Sequence, residues 1–145
     1  MKLRLDHIGL AAEGIGQMAD LFRALGLDEI TEPVPDPAQK VSASFVPANQ
    51  AGDVYIEILE PTRDDSPISK FVKQRGGGLH HLCFETDDID AALRTLEARG
   101  FTVVSPPVDC PAYDTNLGRQ CAGTTRIAFF LLSDKILIEL IEKGR

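Results

Sequence analysis

Two stretches decide how this chain folds: "LDHIGLAAEGIGQMADLFRALGL", Leu5 to Leu27, and "LHHLCFETDDIDAALRTLEARGF", Leu79 to Phe101. Laid over one another with His7 on His81, an offset of 74, they run without a gap: Ile8 falls on Leu82, Leu10 on Phe84, Ile15 on Ile89, Phe22 on Leu96 and Gly26 on Gly100. Self-similarity at a fixed offset marks a duplicated unit. In each copy an alternating run that suits a strand leads into a run with helical spacing. The helical positions are Ile15, Met18, Ala19 and Phe22 in the first copy and Ile89, Ala92, Leu93 and Leu96 in the second. Gly26 and Gly100 stand where a helix ends on a left-handed residue, and Thr86, Asp87 or Asp88 can cap the second helix.

The repeat continues downstream. "KVSASFVP" lies on "RIAFFLLS" with Lys40 on Arg126, and "VYIEILE" lies on "ILIELIE" with Glu57 on Glu139, now at an offset of 82. Each half therefore reads β-α-β-β-β. The growth from 74 to 82 puts eight additional residues into the second half, mainly within "PPVDCPAYDTNLGRQCAGTT". That stretch, punctuated by Pro, Gly and Cys, is expected to be a loop over residues 105–124. Between the halves, "SPISKFVKQRGGG" predicts a short helix with Ser66 as N-cap and Pro67 at the first helical position, then a glycine hinge. The expected organisation is one domain, 1–145: a first βαβββ module over 1–62, a linker helix and hinge over 63–78, and a second module over 79–145.

Composition narrows the function classes. The 145 residues carry a formal net charge of −7. That argues against nucleic-acid or anionic-membrane surfaces, which need clustered Lys and Arg. No apolar run approaches a membrane span, and "MKLRLDHIGLAA" lacks the apolar core of a signal peptide, so a cytoplasmic location is expected. Three cysteines without a C-x-x-C pair support neither a disulfide scaffold nor a cysteine zinc site.

Strand alternation nominates the chemistry. His81 shares a face with Cys83 and Glu85, whereas His80 falls with Leu82 and Phe84 on the face expected to pack under the helix, and is read as structural. The same parity puts His7 opposite Ile8, Glu57 opposite Ile56 and Ile58, and Glu139 opposite Ile138 and Leu140. Two imidazoles and two carboxylates thus gather on the sheet face that the helices leave open. A divalent metal is the simplest reason for such a set, because neutral imidazole and carboxylate suit Zn, Ni, Co, Fe or Mn, and without a cation the carboxylates would repel.

These residues resemble the vicinal oxygen chelate superfamily, also called glyoxalase/bleomycin-resistance/dioxygenase. The resemblance rests on "LDHIGLA", "IEILEP" followed by "DSPISKFV", "GLHHLCFETDDIDAALRTLEARG" and "ILIEL". It implies an α+β fold in which two paired βαβββ modules form an open, metal-centred barrel. It also implies one divalent metal per chain, Zn, Ni or Co being favoured, held by His7, Glu57, His81 and Glu139, and a homodimer. Within the family the chain looks most like methylmalonyl-CoA epimerases and small glyoxalase I-like proteins, whose shared chemistry is proton removal next to a carbonyl. Glu139, and secondarily Glu57, would be the catalytic carboxylate.

Two departures shape the expected activity. Epimerases resemble one another in a catalytic Glu on the third strand of the first half, where the alignment puts Ser42, with Ala128 at the matching repeat position. Before the last strand this chain has "LLSDKILIEL", which matches neither the H-P-K of epimerases nor the D-P-D-G of many glutathione glyoxalases. Lys70, Lys73 and Arg75 are read as a solvated helix face. The leading expectation is a metal-dependent, glyoxalase I-like isomerase or lyase acting on a small carbonyl or thioester compound. The alternatives are a methylmalonyl-CoA epimerase, a metal-free binding or resistance protein, and an extradiol-type dioxygenase. Substrate contacts are expected from Ser42, Ser44, Phe130, Tyr113 and Arg119.

Overall fold

The computed structural model describes residues 1–145. Its first half runs β1 (Arg4–Ala11), α1 (Ile15–Ala24), β2 (Val34–Asp36), β3 (Val41–Pro47) and β4 (Tyr55–Pro61). After α2 (Pro67–Arg75), the second half runs β5 (Gly78–Glu85), α3 (Ile89–Ala98), β6 (Thr102–Asp109), α4 (Pro111–Asn116), β7 (Arg126–Ser133) and β8 (Ile136–Glu142). The strands form one eight-stranded sheet in the order β2-β3-β4-β1-β5-β8-β7-β6. β1 and β5 pair antiparallel at its centre, and each pairs in parallel with the last strand of its own half, β4 or β8. The two modules therefore meet about a pseudo-twofold axis, and the curled sheet is the open half-barrel expected.

Apolar side chains cover both faces. On the convex face, Ile15, Ala19 and Phe22 of α1 are buried, and Ile15 and Phe22 pack on Val46 and Ile58. Ile89, Ala92, Leu93 and Leu96 of α3 pack on Ala128, Phe130, Ile138 and Leu140. Each such large side chain contributes about 1.5–3 kcal/mol of transfer free energy. The concave face gathers Val41, Ala43, Phe45, Leu59, Ile68 and Ile127 with Tyr113.

The two helix starts are held by the same device. Glu60, at the end of β4, accepts from the Ile15 backbone N–H at 3.0 Å, and Glu142, at the end of β8, accepts from that of Ile89 at 2.8 Å. Asp88 caps α3 in addition, accepting from the Ala91 N–H, whereas Gly14 at the start of α1 offers no side chain. Ser66 caps α2 and Pro67 opens it, as the sequence predicts. The hinge glycine Gly77, at φ +104°, runs so close to β1 that a Cβ would come within 2.6 Å of the Ala11 carbonyl oxygen.

The stretch expected to be a loop over residues 105–124 is more ordered than that. Ser105–Asp109 complete β6, whose two prolines are tolerated because it is an edge strand with only β7 beside it. Pro111 then opens α4, where its missing N–H costs nothing. Arg119 binds Asp114, Thr125 and the Gly144 carbonyl, and the Thr125 hydroxyl donates to Asp114, so the insertion is tied to the end of the chain.

Candidate metal centre and active site

Four side chains from four strands converge on the concave face. β1 supplies His7, β4 Glu57, β5 His81 and β8 Glu139, and their ligand atoms all lie within 4.8 Å of one another. His7 Nε2 is 3.4 Å from Glu57 Oε1 and 3.7 Å from Glu139 Oε2; His81 Nε2 is 3.4 Å and 3.0 Å from the same two atoms. The two Nε2 atoms face each other at 3.3 Å. They cannot both point protons at one another, whereas two imidazole lone pairs and two carboxylate oxygens aimed at one point are the donor set a divalent cation satisfies. Burial alone would lower both imidazole pKa values. The neighbouring charges and hydrogen bonds outweigh it, those of Glu57 with Cys83 and Asp6 for His7 and of Glu139 and Glu57 for His81, and raise both. Burial likewise opposes ionisation of Glu57 and Glu139, yet the imidazoles hold both pKa values below the usual carboxylate range.

Backbone irregularities aim the imidazoles. The β1–β5 register shifts between Leu5 and His7 and again between Gly9 and Leu10, leaving Asp6 and His80 as the extra residues of two bulges. These two positions are again 74 apart, each just before a histidine of the quartet. Asp6 is fully buried and accepts from His7 Nδ1 at 2.7 Å, from the Tyr113 hydroxyl at 3.0 Å and from Lys143 Nζ at 2.7 Å. Burial would raise its pKa, but the hydrogen bonds from His7 and Lys143 bring it below the ordinary value. Being an acceptor only, it fixes the proton on Nδ1 and leaves Nε2 free for a metal. His80 Nδ1 lies 2.9 Å from His81 Nδ1. Burial and the neighbouring His81 push the His80 pKa down to about 4, so it is neutral; with His81 Nε2 committed to a metal, the proton sits on His81 Nδ1 and His80 Nδ1 accepts it. Across the pair, Gly9 leaves the space that the His81 ring fills; a Cβ there would overlap the ring.

His80 corrects the sequence reading. It does not join Leu82 and Phe84 under α3; the bulge brings it to the cavity wall, edge-on to Phe71 of α2 at 5.3 Å between ring centroids. The cavity above the quartet has a volume of about 270 Å³. β3 presents Val41, Ala43 and Phe45 to it, while Ser42 and Ser44 share the opposite parity and do not line it. On β7 it is Phe129 that lines the cavity, while Phe130 is buried under α3. Tyr113 does line it, together with Asn116, which donates to the Ala43 carbonyl and accepts from Thr31. Arg119 is outside it, engaged with Asp114. Of the expected substrate contacts, the structure thus brings Tyr113 to the quartet and turns Ser42, Ser44, Phe130 and Arg119 away. Asp6, Val41, Ala43 and Phe129 were not singled out by sequence reasoning. For Asp6 the repeat carried a signal, since it stands on His80.

Comparison with known proteins agrees with this architecture. A model of the Glyoxalase/Bleomycin resistance protein/Dioxygenase superfamily matches residues 6–118. The mitochondrial methylmalonyl-CoA epimerase of Dictyostelium discoideum is 34% identical over 104 residues, 71% of this chain and 61% of that protein. An ethylmalonyl-CoA/methylmalonyl-CoA epimerase of Cereibacter sphaeroides is 32% identical over 102 residues, 70% of this chain and 74% of that protein. The chain thus spans about 60% of the length of the mitochondrial relatives it matches. A Streptomyces coelicolor methylmalonyl-CoA epimerase variant in complex with 2-nitronate-propionyl-CoA superposes with a TM-score of 0.76 at 28% identity, over 98% of each chain. These relatives favour the epimerase alternative over the glyoxalase I-like expectation. With the duplicated βαβββ frame, the curled sheet and the family match in agreement, the chain belongs to the glyoxalase/bleomycin resistance protein/dioxygenase superfamily.

Proposed function

We propose that this protein is a metal-dependent isomerase of the epimerase type, moving a proton at the carbon next to the carbonyl of an acyl thioester. The observation that carries the reading is the quartet of His7, Glu57, His81 and Glu139 at the floor of an apolar cavity. These residues would hold one divalent ion, with Zn, Ni or Co favoured by the imidazole–carboxylate donors. When bound, the ion supplies an electrophile that stabilises negative charge developing on a substrate oxygen. For inversion we assign Glu139, 3.0 Å from His81 Nε2, to take the proton from one face of the carbon and Glu57, 3.4 Å from the same atom, to deliver one to the other. Phe45 and Phe129 pack their rings against His7 and His81, keeping water from the carbon that loses the proton. Tyr113, its hydroxyl pushed up in pKa by burial and by Asp6, stays protonated and closes the wall above His7.

One observation favours a second reading. Val41, Ala43 and Phe45 leave the cavity side of β3 without an acid or base, which suits a single-carboxylate shuttle of glyoxalase I type better than bases on two faces. A panel of 2-methylacyl-CoA thioesters and hemithioacetals in deuterated water, followed by NMR, separates the two. Exchange or inversion on a thioester supports the epimerase type, and turnover confined to a hemithioacetal supports the shuttle. Glu139→Gln is expected to lose the activity even at saturating metal. No exchange on any member, with metal-dependent oxygen uptake on a catechol, would move the protein to the oxygenase branch.

A further inference from the structure

Most polar side chains that line the cavity outside the quartet are already engaged. The Asn116 amide donates to the Ala43 carbonyl and accepts from the Thr31 hydroxyl, the Tyr113 hydroxyl donates to Asp6, and the Ser105 hydroxyl donates to the Pro106 carbonyl. Asp36 accepts from the backbone N–H groups of Ala38 and Gln39 and from the Cys110 thiol. Two side chains are left over. The Gln39 amide makes no hydrogen bond within the protein, and His80 uses only Nδ1, toward His81, which leaves Nε2 as a free N–H donor. Both free groups reach open space, since Ser44 Oγ is the single buried side-chain polar atom without a partner. In exposure Gln39 and His80 stand between the buried floor of His7, His81 and Phe45 and the exposed lip of Pro67 and Val104, so they belong to the mouth. The Nδ1 atoms of His80 and His81 face each other with ring centroids 5.2 Å apart, which turns His80 Nε2 away from the quartet. The turn that carries Gln39 is held firmly. Asp36 ties its backbone, Lys40 takes a left-handed φ of +56°, and Lys40 Nζ binds Asp65 at 2.8 Å. A non-glycine residue keeps such a backbone only where its surroundings fix it.

Resting on the proton-transfer reading, we propose that Gln39 and His80 bind the carrier end of the thioester, where they read a secondary amide in the arm attached to its sulfur. The reacting carbonyl belongs at the quartet on the floor, so the sulfur side of the substrate leaves through the mouth. Gln39 offers both an N–H donor and a carbonyl acceptor, the complement of an amide's C=O and N–H, and His80 Nε2 offers a further donor to a carbonyl oxygen, which has two lone pairs. A carboxylate would take up the donors but has no N–H for the Gln39 carbonyl, whereas an amide answers donor and acceptor alike. Secondary amides are what pantetheine-type and glutathione-type thiol carriers share. Each hydrogen bond made here is worth about two- to tenfold in affinity.

The test is NMR titration of the protein, at saturating zinc, with three thioesters of 2-methylbutyrate. Those of N-acetylcysteamine and glutathione carry amides, and that of pentanethiol matches the first in length and carries none. The readout is the ratio of amide-bearing to pentyl affinity, compared between variants, so that differences in the arms' hydrophobicity and any general loosening of the site cancel. Gln39→Leu and His80→Phe are each expected to lower that ratio by about two- to tenfold for at least one amide arm, with pentyl affinity kept. The arm whose ratio falls identifies the carrier as pantetheine-type or glutathione-type. A ratio unchanged in one variant overturns the role of that residue, and a ratio unchanged in both overturns the inference. A loss shared equally by all three thioesters also overturns it, because that is what a merely structural role produces. Exchange of the 2-hydrogen in deuterated water alongside either result leaves the proton-transfer reading standing. Failure of all three thioesters to bind or exchange overturns the inference and the proton-transfer reading together.

Discussion

The first module holds its imidazole with a charge and the second with a neutral ring. Asp6 and His80 occupy the same bulge 74 residues apart, yet Asp6 is a buried carboxylate with three hydrogen-bonding partners and His80 is a half-buried imidazole with one. The carboxylate needs compensation, and Tyr113 and Lys143 provide it. Because Tyr113 comes from α4, the insertion that only the second module carries serves the ligand of the first. Duplication set the symmetric quartet, and the asymmetry was added behind it and above it.

The sharpest way to break the quartet without touching a ligand is Gly9→Ala. The added methyl overlaps the His81 ring, so the ring must swing out of the quartet. Metal affinity, measured by calorimetry or by metal content after dialysis, should fall more than the about 10–100-fold typical of losing an orienting group, and should approach the loss seen in His81→Ala. Circular dichroism should still report a folded chain. Unchanged affinity would mean that His81 does not ligate from this position.

The two orienting groups should then separate by size. Asp6→Asn keeps the shape but removes the charge that Lys143 faces, and it should lower metal affinity by about 10–100-fold. His80→Phe removes a neutral acceptor and should cost less, at the lower end of that range. Equal effects would show that the charge behind His7 adds nothing beyond a hydrogen bond.

How much of this was legible follows from where the signals lay. The quartet was readable because the repeat matched His7 to His81 and Glu57 to Glu139, and strand alternation put all four on one face. His80 was misplaced because alternation assumes an unbroken pleat, and a bulge adds a residue that no sequence period records. Ser42, Ser44 and Phe130 were misplaced for another reason. Both faces of this sheet are apolar, one against helices and the other around the cavity, so the pattern on β3 and β7 does not say which side is which. α4 was hidden by its prolines, which read as loop punctuation although one of them opens a helix and the others lie on an edge strand.

The pH dependence of stability should divide the metal-free from the metal-loaded protein. In the metal-free state His7 and His81 have pKa values above the ordinary 6.5. Groups raised on folding stabilise fully below the unfolded value and lose that contribution as pH rises through the folded one. Metal-free Tm should therefore fall as pH climbs above 6.5, with the rest of the titration held as background by a His7→Gln, His81→Gln double variant. The loaded protein needs neutral imidazoles and should show the reverse trend, releasing its ion as pH falls. Parallel trends in the two forms would contradict the quartet as the metal site.

The smallest effects concern the helix starts, where the modules again differ in backing. Glu60 and Glu142 each accept from the first backbone N–H of a helix, but α3 keeps Asp88 as a second cap while α1 has only Gly14 before it. A side-chain cap is worth about 0.5–2 kcal/mol, and a negative charge near a helix N-terminus about 0.3–1 kcal/mol. Glu60→Ala removes both from α1 at once and should cost about 1–2 kcal/mol in urea unfolding. Glu142→Ala should cost less at the helix, about 1 kcal/mol, because Asp88 still holds the Ala91 N–H. Glu142 also pairs with the part-exposed Arg126, an interaction that salt screens, so the comparison is made at high ionic strength. Combining Glu142→Ala with Asp88→Ala should then bring α3 to the cost that Glu60→Ala alone imposes on α1. If the single substitutions cost the same, the cap at Asp88 gives α3 no protection, and the two helix starts are equivalent despite the residues before them.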